Sequence, residues 1–104
     1  MYHISFYVPE AHCEMVKEAM FAAGAGQIGD YSKCAWQTKG SGQFMPLAGS
    51  NPFVGKTNQI EQVEEYKVEM VCANENISAV IQALKKSHPY EEPAYYVIQS
   101  VDML

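Results

Sequence analysis

Three side chains able to move protons or bind a metal fall within five positions of "SHPYEEPAYYV", residues 87 to 97: His88, Glu91 and Glu92. Pro89 and Pro93 limit the motion of the segment that carries them. Imidazole and carboxylate together suit a divalent transition metal, or an acid/base pair. A third reading is a rigid corner that joins a helix to the edge of a sheet. His88 follows a helical stretch, where the C-terminal dipole and nearby carboxylates favour a charged imidazole, and a protonated histidine is a poor ligand. Alternation along an extended chain also sends Glu91 and Glu92 to opposite sides. The residues therefore favour a corner in which His88 caps exposed carbonyls, Tyr90 packs and the glutamates sit at a subunit edge. A metal site and acid/base chemistry stay open as alternatives.

A second motif, "SNPFVGKT" at residues 50 to 57, ends like a phosphate-binding loop, but that loop needs glycine where Ser50 stands. Pro52 lacks an amide donor, Phe53 is bulky, and "NQIEQVEEY" after the motif reads as loop and strand instead of the required helix. Nucleotide binding is not expected there. His3 sits in a strand pattern beside Ser5 and Tyr7, and His12 in the first turn of a helix beside Cys13, with no second ligand at local spacing. Cys13, Cys34 and Cys72 are odd in number and widely spaced, so they read as reduced, mostly packed thiols. No nucleophile has a local histidine partner and there is no G-x-S-x-G elbow, so no catalytic residue is assigned.

The elements that must position these groups follow from periodicity. Ile4, Phe6 and Val8 alternate with His3, Ser5 and Tyr7, which predicts a strand ended by Pro9. Met15, Val16, Ala19, Met20 and Ala23 recur at helical spacing from Glu10 to about Ala23, and Gly24 and Gly26 follow as stop signals. "SKCAWQTKG" predicts a second strand with Trp36 as its largest apolar payload, and "GSGQF" a turn into a short third one. Residues 45 to 62 read as a long loop, and such loops are often functional. "VEEYKVEMVCA" returns to strand, with Tyr66, Val68, Met70 and Cys72 on one face. Asn74 is expected to cap a helix striped by Ile77, Val80, Ile81 and Leu84, and "AYYVIQSV" gives the last strand.

The order β-α-β-β-α-β is that of a ferredoxin-like α+β sandwich, an antiparallel sheet with two helices on one face and an elaborated middle hairpin. The last strand carries Tyr96 and Ile98 on one side and Tyr95, Val97 and Val101 on the other, so a second chain is expected to cover the open face. At 104 residues and 48% hydrophobic the chain reads as a single domain, 1-104, able to bury one core. Twelve acidic residues against seven lysines and no arginine give a formal charge of −5, which argues against nucleic acid as a partner. Neither a membrane-spanning run nor a signal-peptide pattern is present, so a cytoplasmic location is the default expectation.

"AAGAGQIGDYSKCAWQTKGSGQF", "PLAGSNPFVG", "VEEYKVEMVC" and "HPYEEPAY" together resemble the accessory domain of Nif-three-like (YqfO-type) proteins and its stand-alone relatives, over nearly the whole chain. The "HPYE" plus proline element is also similar to one in CutA divalent-cation-tolerance proteins, through His88, Pro89, Tyr90, Glu91 and Pro93, whereas Glu92 lies outside the shared pattern. The resemblance implies a PII/CutA-like fold and a homo-oligomer, a trimer being favoured over a dimer. It implies as well that the two-metal site and any hydrolase activity of the larger proteins reside in a flanking domain, so a non-enzymatic module is expected here. By analogy with PII-like trimers, Trp36, Gln43, Phe44, Asn51, Phe53 and Tyr90 are candidate lining residues of an inter-subunit cleft for a small ligand or protein partner. The CutA likeness keeps a copper or zinc site at His88, Glu91 and Glu92 as the alternative, with a divalent metal ion as the one cofactor it suggests.

Overall fold

The computed structural model describes residues 1–101. Its elements are β1 (Tyr2–Pro9), α1 (Glu10–Ala22), β2 (Trp36–Phe44), β3 (Glu61–Cys72), α2 (Ile77–Ser87) and β4 (Tyr95–Gln99), with a 3-10 turn at Asn74–Asn76 leading into α2. The strands form one antiparallel sheet in the order β2-β3-β1-β4. This is the expected α+β, ferredoxin-like βαββαβ arrangement.

Alternation in the two central strands decides which face is dry. Ile4, Phe6 and Val8 of β1 stand opposite Met70, Val68 and Tyr66 of β3, and Ile4 and Phe6 stand opposite Val97 and Tyr95 of β4. Apart from Val97, which is exposed, these side chains meet Cys13, Val16 and Met20 of α1 and Val80 and Leu84 of α2 in one cluster, with Tyr66 and Tyr95 half-buried against it. The first helix stops where Gly24 takes φ +115°, a conformation that costs glycine little. There the Gly24 amide bonds to the Phe21 carbonyl and the Ala25 amide to Met20, the double bond of a Schellman end. A Cβ at Gly24 would also come within 2.7 Å of the Asn76 side chain, so this turn is packed against the entry to α2.

Four local expectations are corrected. "GSGQF" continues β2 without a turn, because Gly40 and Gly42 are paired with Glu65 and Val63 of β3. Trp36 is 68% exposed instead of buried, since the register puts it opposite Glu69 on the face that no helix covers. Met15 is 54% exposed, and the buried stripe of α1 runs through Cys13 in its place. Asn74 opens the 3-10 turn, and α2 begins three residues later with no side-chain cap.

The uncovered face has its own pattern. Trp36, Glu69, Ser5 and Tyr96 form one row across all four strands, and Val71, His3 and Ile98 form the next. Its centre is polar, with His3 Nε2 3.6 Å and Lys67 Nζ 3.9 Å from Glu69 Oε1. Its margins are apolar and open, with Tyr96 58% and Ile98 60% exposed. At the β1–β4 edge, the backbone amide of Ser100 donates to the Met1 carbonyl at 3.0 Å.

The two methionines of α1 separate the core from the surface. Met20→Ala should cost about 2–5 kcal/mol in chemical denaturation, and Met15→Ala should stay within about 0.5 kcal/mol.

Candidate functional site

The corner after α2 is built by backbone restriction first. His88 ends the helix at φ −72°, ψ 138°, the extended conformation that a following proline imposes. That turn carries the imidazole away from the helix axis, where it is almost fully buried. Its Nε2 donates to the backbone carbonyl of Tyr7 at 2.7 Å, just past the last β1–β4 pair, and its Nδ1 accepts from the Tyr90 amide at 3.1 Å. One neutral tautomer satisfies both neighbours, and protonating Nδ1 would set two donors against each other. Burial holds the imidazole below its ordinary pKa, outweighing the Tyr7 carbonyl and the Glu65 carboxylate, which favour the charged form. The expectation of a charged, helix-capping His88 is therefore corrected: desolvation exceeds the dipole, and the ring bridges β1 to the corner.

Tyr90 extends the joint. Its hydroxyl donates to Glu65 Oε2 at 2.7 Å, and burial followed by that carboxylate pushes the phenol well above its usual pKa. Glu65 can lie there because Gly42 has no side chain; a Cβ on Gly42 would collide with the Glu65 carboxylate. The Tyr90 ring packs 4.8 Å from His88, 6.2 Å from Phe44 and 6.3 Å from Phe53, centroid to centroid. Phe53 in turn meets the edge of His12 at 5.4 Å, and the Asn51 amide donates to Glu91 Oε1 at 3.1 Å. The loop between β2 and β3 is thus strapped to the corner and to α1.

Between that loop, the corner and the uncovered sheet lies a cleft of about 860 Å³. Its size lies in the range of small-ligand sites. Four of the six residues named from the sequence line it, namely Gln43, Phe44, Phe53 and Tyr90; Trp36 and Asn51 do not. Glu91 and Glu92 also line it, whereas His88 stands behind Tyr90 and does not. Among the described residues no group of three His, Cys, Asp or Glu side chains converges as a metal could require. With both nitrogens of His88 committed inside the chain, His88, Glu91 and Glu92 do not fit a metal ion. Residues 50 to 57 form neither a strand end nor a helix start, so the phosphate-loop likeness stays one of letters.

Sequence reasoning missed Glu65 and Gly42. Two glycines two apart in a strand leave one face bare, a signal of close approach that was available in "KGSGQ". Cys13 and Cys72 are buried and Cys34 is half-buried; burial raises the first two thiols, which argues against reactive thiolates.

His88 predicts a sign for acid behaviour. Its folded pKa lies below the unfolded value near 6.5, so the unfolded chain binds the proton first. The stability this group contributes is complete above that value and declines as pH falls below it. Denaturant unfolding at pH 7.5 and 5.5 should show a loss that is smaller in His88→Gln. An equal loss in both proteins removes His88 as its source.

No family model matches the chain. It is 47% identical over 95 residues to a "GTP cyclohydrolase 1 type 2 homolog" of Halalkalibacterium halodurans, an alignment covering 91% of this chain and 26% of that protein. The chain thus spans about a quarter of the length of the curated relatives it matches. Among solved structures, a Bacillus cereus protein related to NIF3 superposes with a TM-score of 0.79 at 38% identity, over 92% of this chain and 24% of that one. The periplasmic divalent cation tolerance protein CutA of Archaeoglobus fulgidus superposes with a TM-score of 0.70 at 17% identity, covering 100% of this chain and 88% of that one, a likeness of fold alone. Among the described residues no helix is long and apolar enough to cross a membrane. The chain is homologous to about one quarter of longer, Nif-three-like proteins and carries a CutA-like fold.

Proposed function

We propose that residues 1–104 form a single PII/CutA-like module that is non-enzymatic, oligomeric and regulatory or ligand-binding. Its clefts, completed between subunits, receive a small ligand or a partner protein. The observation that carries this reading is the 860 Å³ cleft, walled by the strapped loop and the Tyr90 corner. Such an aromatic-walled concavity with a few polar groups is what small-molecule sites share. The acid/base candidate His88 is turned away from it into the backbone. The cyclohydrolase name belongs to relatives about four times as long, and shared ancestry over a quarter of them does not carry a site located elsewhere.

The oligomer is supported by the apolar margins of the open face. Tyr96 and Ile98 on β4 and Trp36 on β2 present aromatic and aliphatic area on strands that have only one neighbour each. A second copy laid on this face would bury that area. The copper or zinc reading is disfavoured by the engagement of both His88 nitrogens.

Native mass spectrometry at micromolar concentration tests the assembly. A trimer or dimer is expected for the natural chain, and Ile98→Asp should shift it to monomer while circular dichroism keeps its helix and strand signal. A natural chain that is monomeric across this range overturns the oligomeric part. Bound copper or zinc retained at one ion per chain would overturn the preference against a metal.

A further inference from the structure

We infer that the cleft selects a small organic cation, an amine or quaternary ammonium on an apolar or aromatic body, and rejects phosphate-bearing ligands. This rests on the ligand-binding reading given above and adds the chemical class.

The charges of the lining are unequal. Glu65, Glu69, Glu91 and Glu92 face Lys39 and Lys67. Both lysines have carboxylate neighbours, Lys67 at 3.9 Å from Glu69 and Lys39 at 3.8 Å from Glu64, which lies outside the cleft. Glu65 gives one oxygen to the Tyr90 hydroxyl and Glu91 one to the Asn51 amide, while Glu92 is exposed at the mouth. Carboxylate is therefore in excess where a ligand enters, and a cleft lined by one sign of charge concentrates ions of the other.

The walls suit the same ligand. Phe44, Phe53 and Tyr90 form a connected aromatic group beside Glu91 and Glu92, so π faces and negative charge act together on a cation that keeps an apolar body. A phosphate would meet four carboxylates against two lysines that already have carboxylate neighbours, and no arginine. Lys56 of the Gly55-Lys56-Thr57 stretch is absent from the lining, and no helix begins there to offer free amides.

The test is a ¹H–¹⁵N NMR titration of the 104-residue chain at low salt with benzyltrimethylammonium, benzyl alcohol and GTP in separate series. Benzyltrimethylammonium should shift the amides of Phe44, Phe53 and Glu91 and bind about five-fold more tightly than benzyl alcohol. The double variant Glu91→Gln, Glu92→Gln keeps an acceptor for the Asn51 amide, so the loop stays strapped. In it the preference should fall below about two-fold while the affinity for benzyl alcohol holds. Equal binding of cation and alcohol, unchanged in the variant, overturns the charge selection and leaves the cleft standing as a ligand site. Failure of every probe to move cleft amides overturns the small-ligand reading itself, and GTP shifts at those amides overturn the inferred class.

Discussion

Two short helices can cover one face of a four-stranded sheet and no more, and the arrangement of this molecule follows from that limit. On the helix side the solution is ordinary, with Ile4, Phe6, Val68 and Met70 meeting Val16, Met20, Val80 and Leu84 in a dry cluster. The other side is divided by chemistry. Its centre is occupied by Glu69 with His3 and Lys67, its margins by Trp36, Tyr96 and Ile98, and one end by the loop that follows β2. The cleft lies at that end, where the chain folds back over the sheet.

What holds the chain there is a chain of small polar bonds. The ring of His88 joins β1 to the corner, the amide and hydroxyl of Tyr90 join the corner to His88 and to β3, and Glu91 receives the loop at Asn51. The bonds of His88 and Tyr90 close half-buried polar groups that would be costly to leave open, whereas the one between Asn51 and Glu91 is exposed. A histidine used in this way gives up ligation and proton transfer, since both nitrogens are spent on the backbone. The same residues that look most chemical in the sequence thus hold the joint, and the side chains that line the cleft include the aromatic and acidic ones around it.

The fold was legible because it is written in repeating patterns. Ile4, Phe6 and Val8, or Val80 and Leu84, announce their faces by spacing, and burial makes those faces obligatory. Trp36 was not legible, since nothing in "SKCAWQTKG" tells which way an edge strand points, and a single step in register moves every side chain to the other face. Gly40 and Gly42 were misread as a turn because the residue type suits a turn, whereas pairing with β3 keeps them extended. For the site, Phe44, Phe53 and Tyr90 could be guessed as a group. Glu65 could not, because its role depends on an absent side chain on the neighbouring strand. The charge state of His88 was misjudged for a related reason: the helix dipole is visible in a sequence, and the depth of burial is not.

The amide of Ser100 on the carbonyl of Met1 ties the first and last parts of the sheet together at one edge. A unit whose ends meet in this way can be spliced into a surface loop of a host protein at little geometric cost, since the host strand leaves and re-enters at almost the same point. In such a host the splice would lie at the Met1–Ser100 end of β1 and β4, and the loop-covered cleft, beside Tyr7 and Tyr90 at the other end, would stay clear of it.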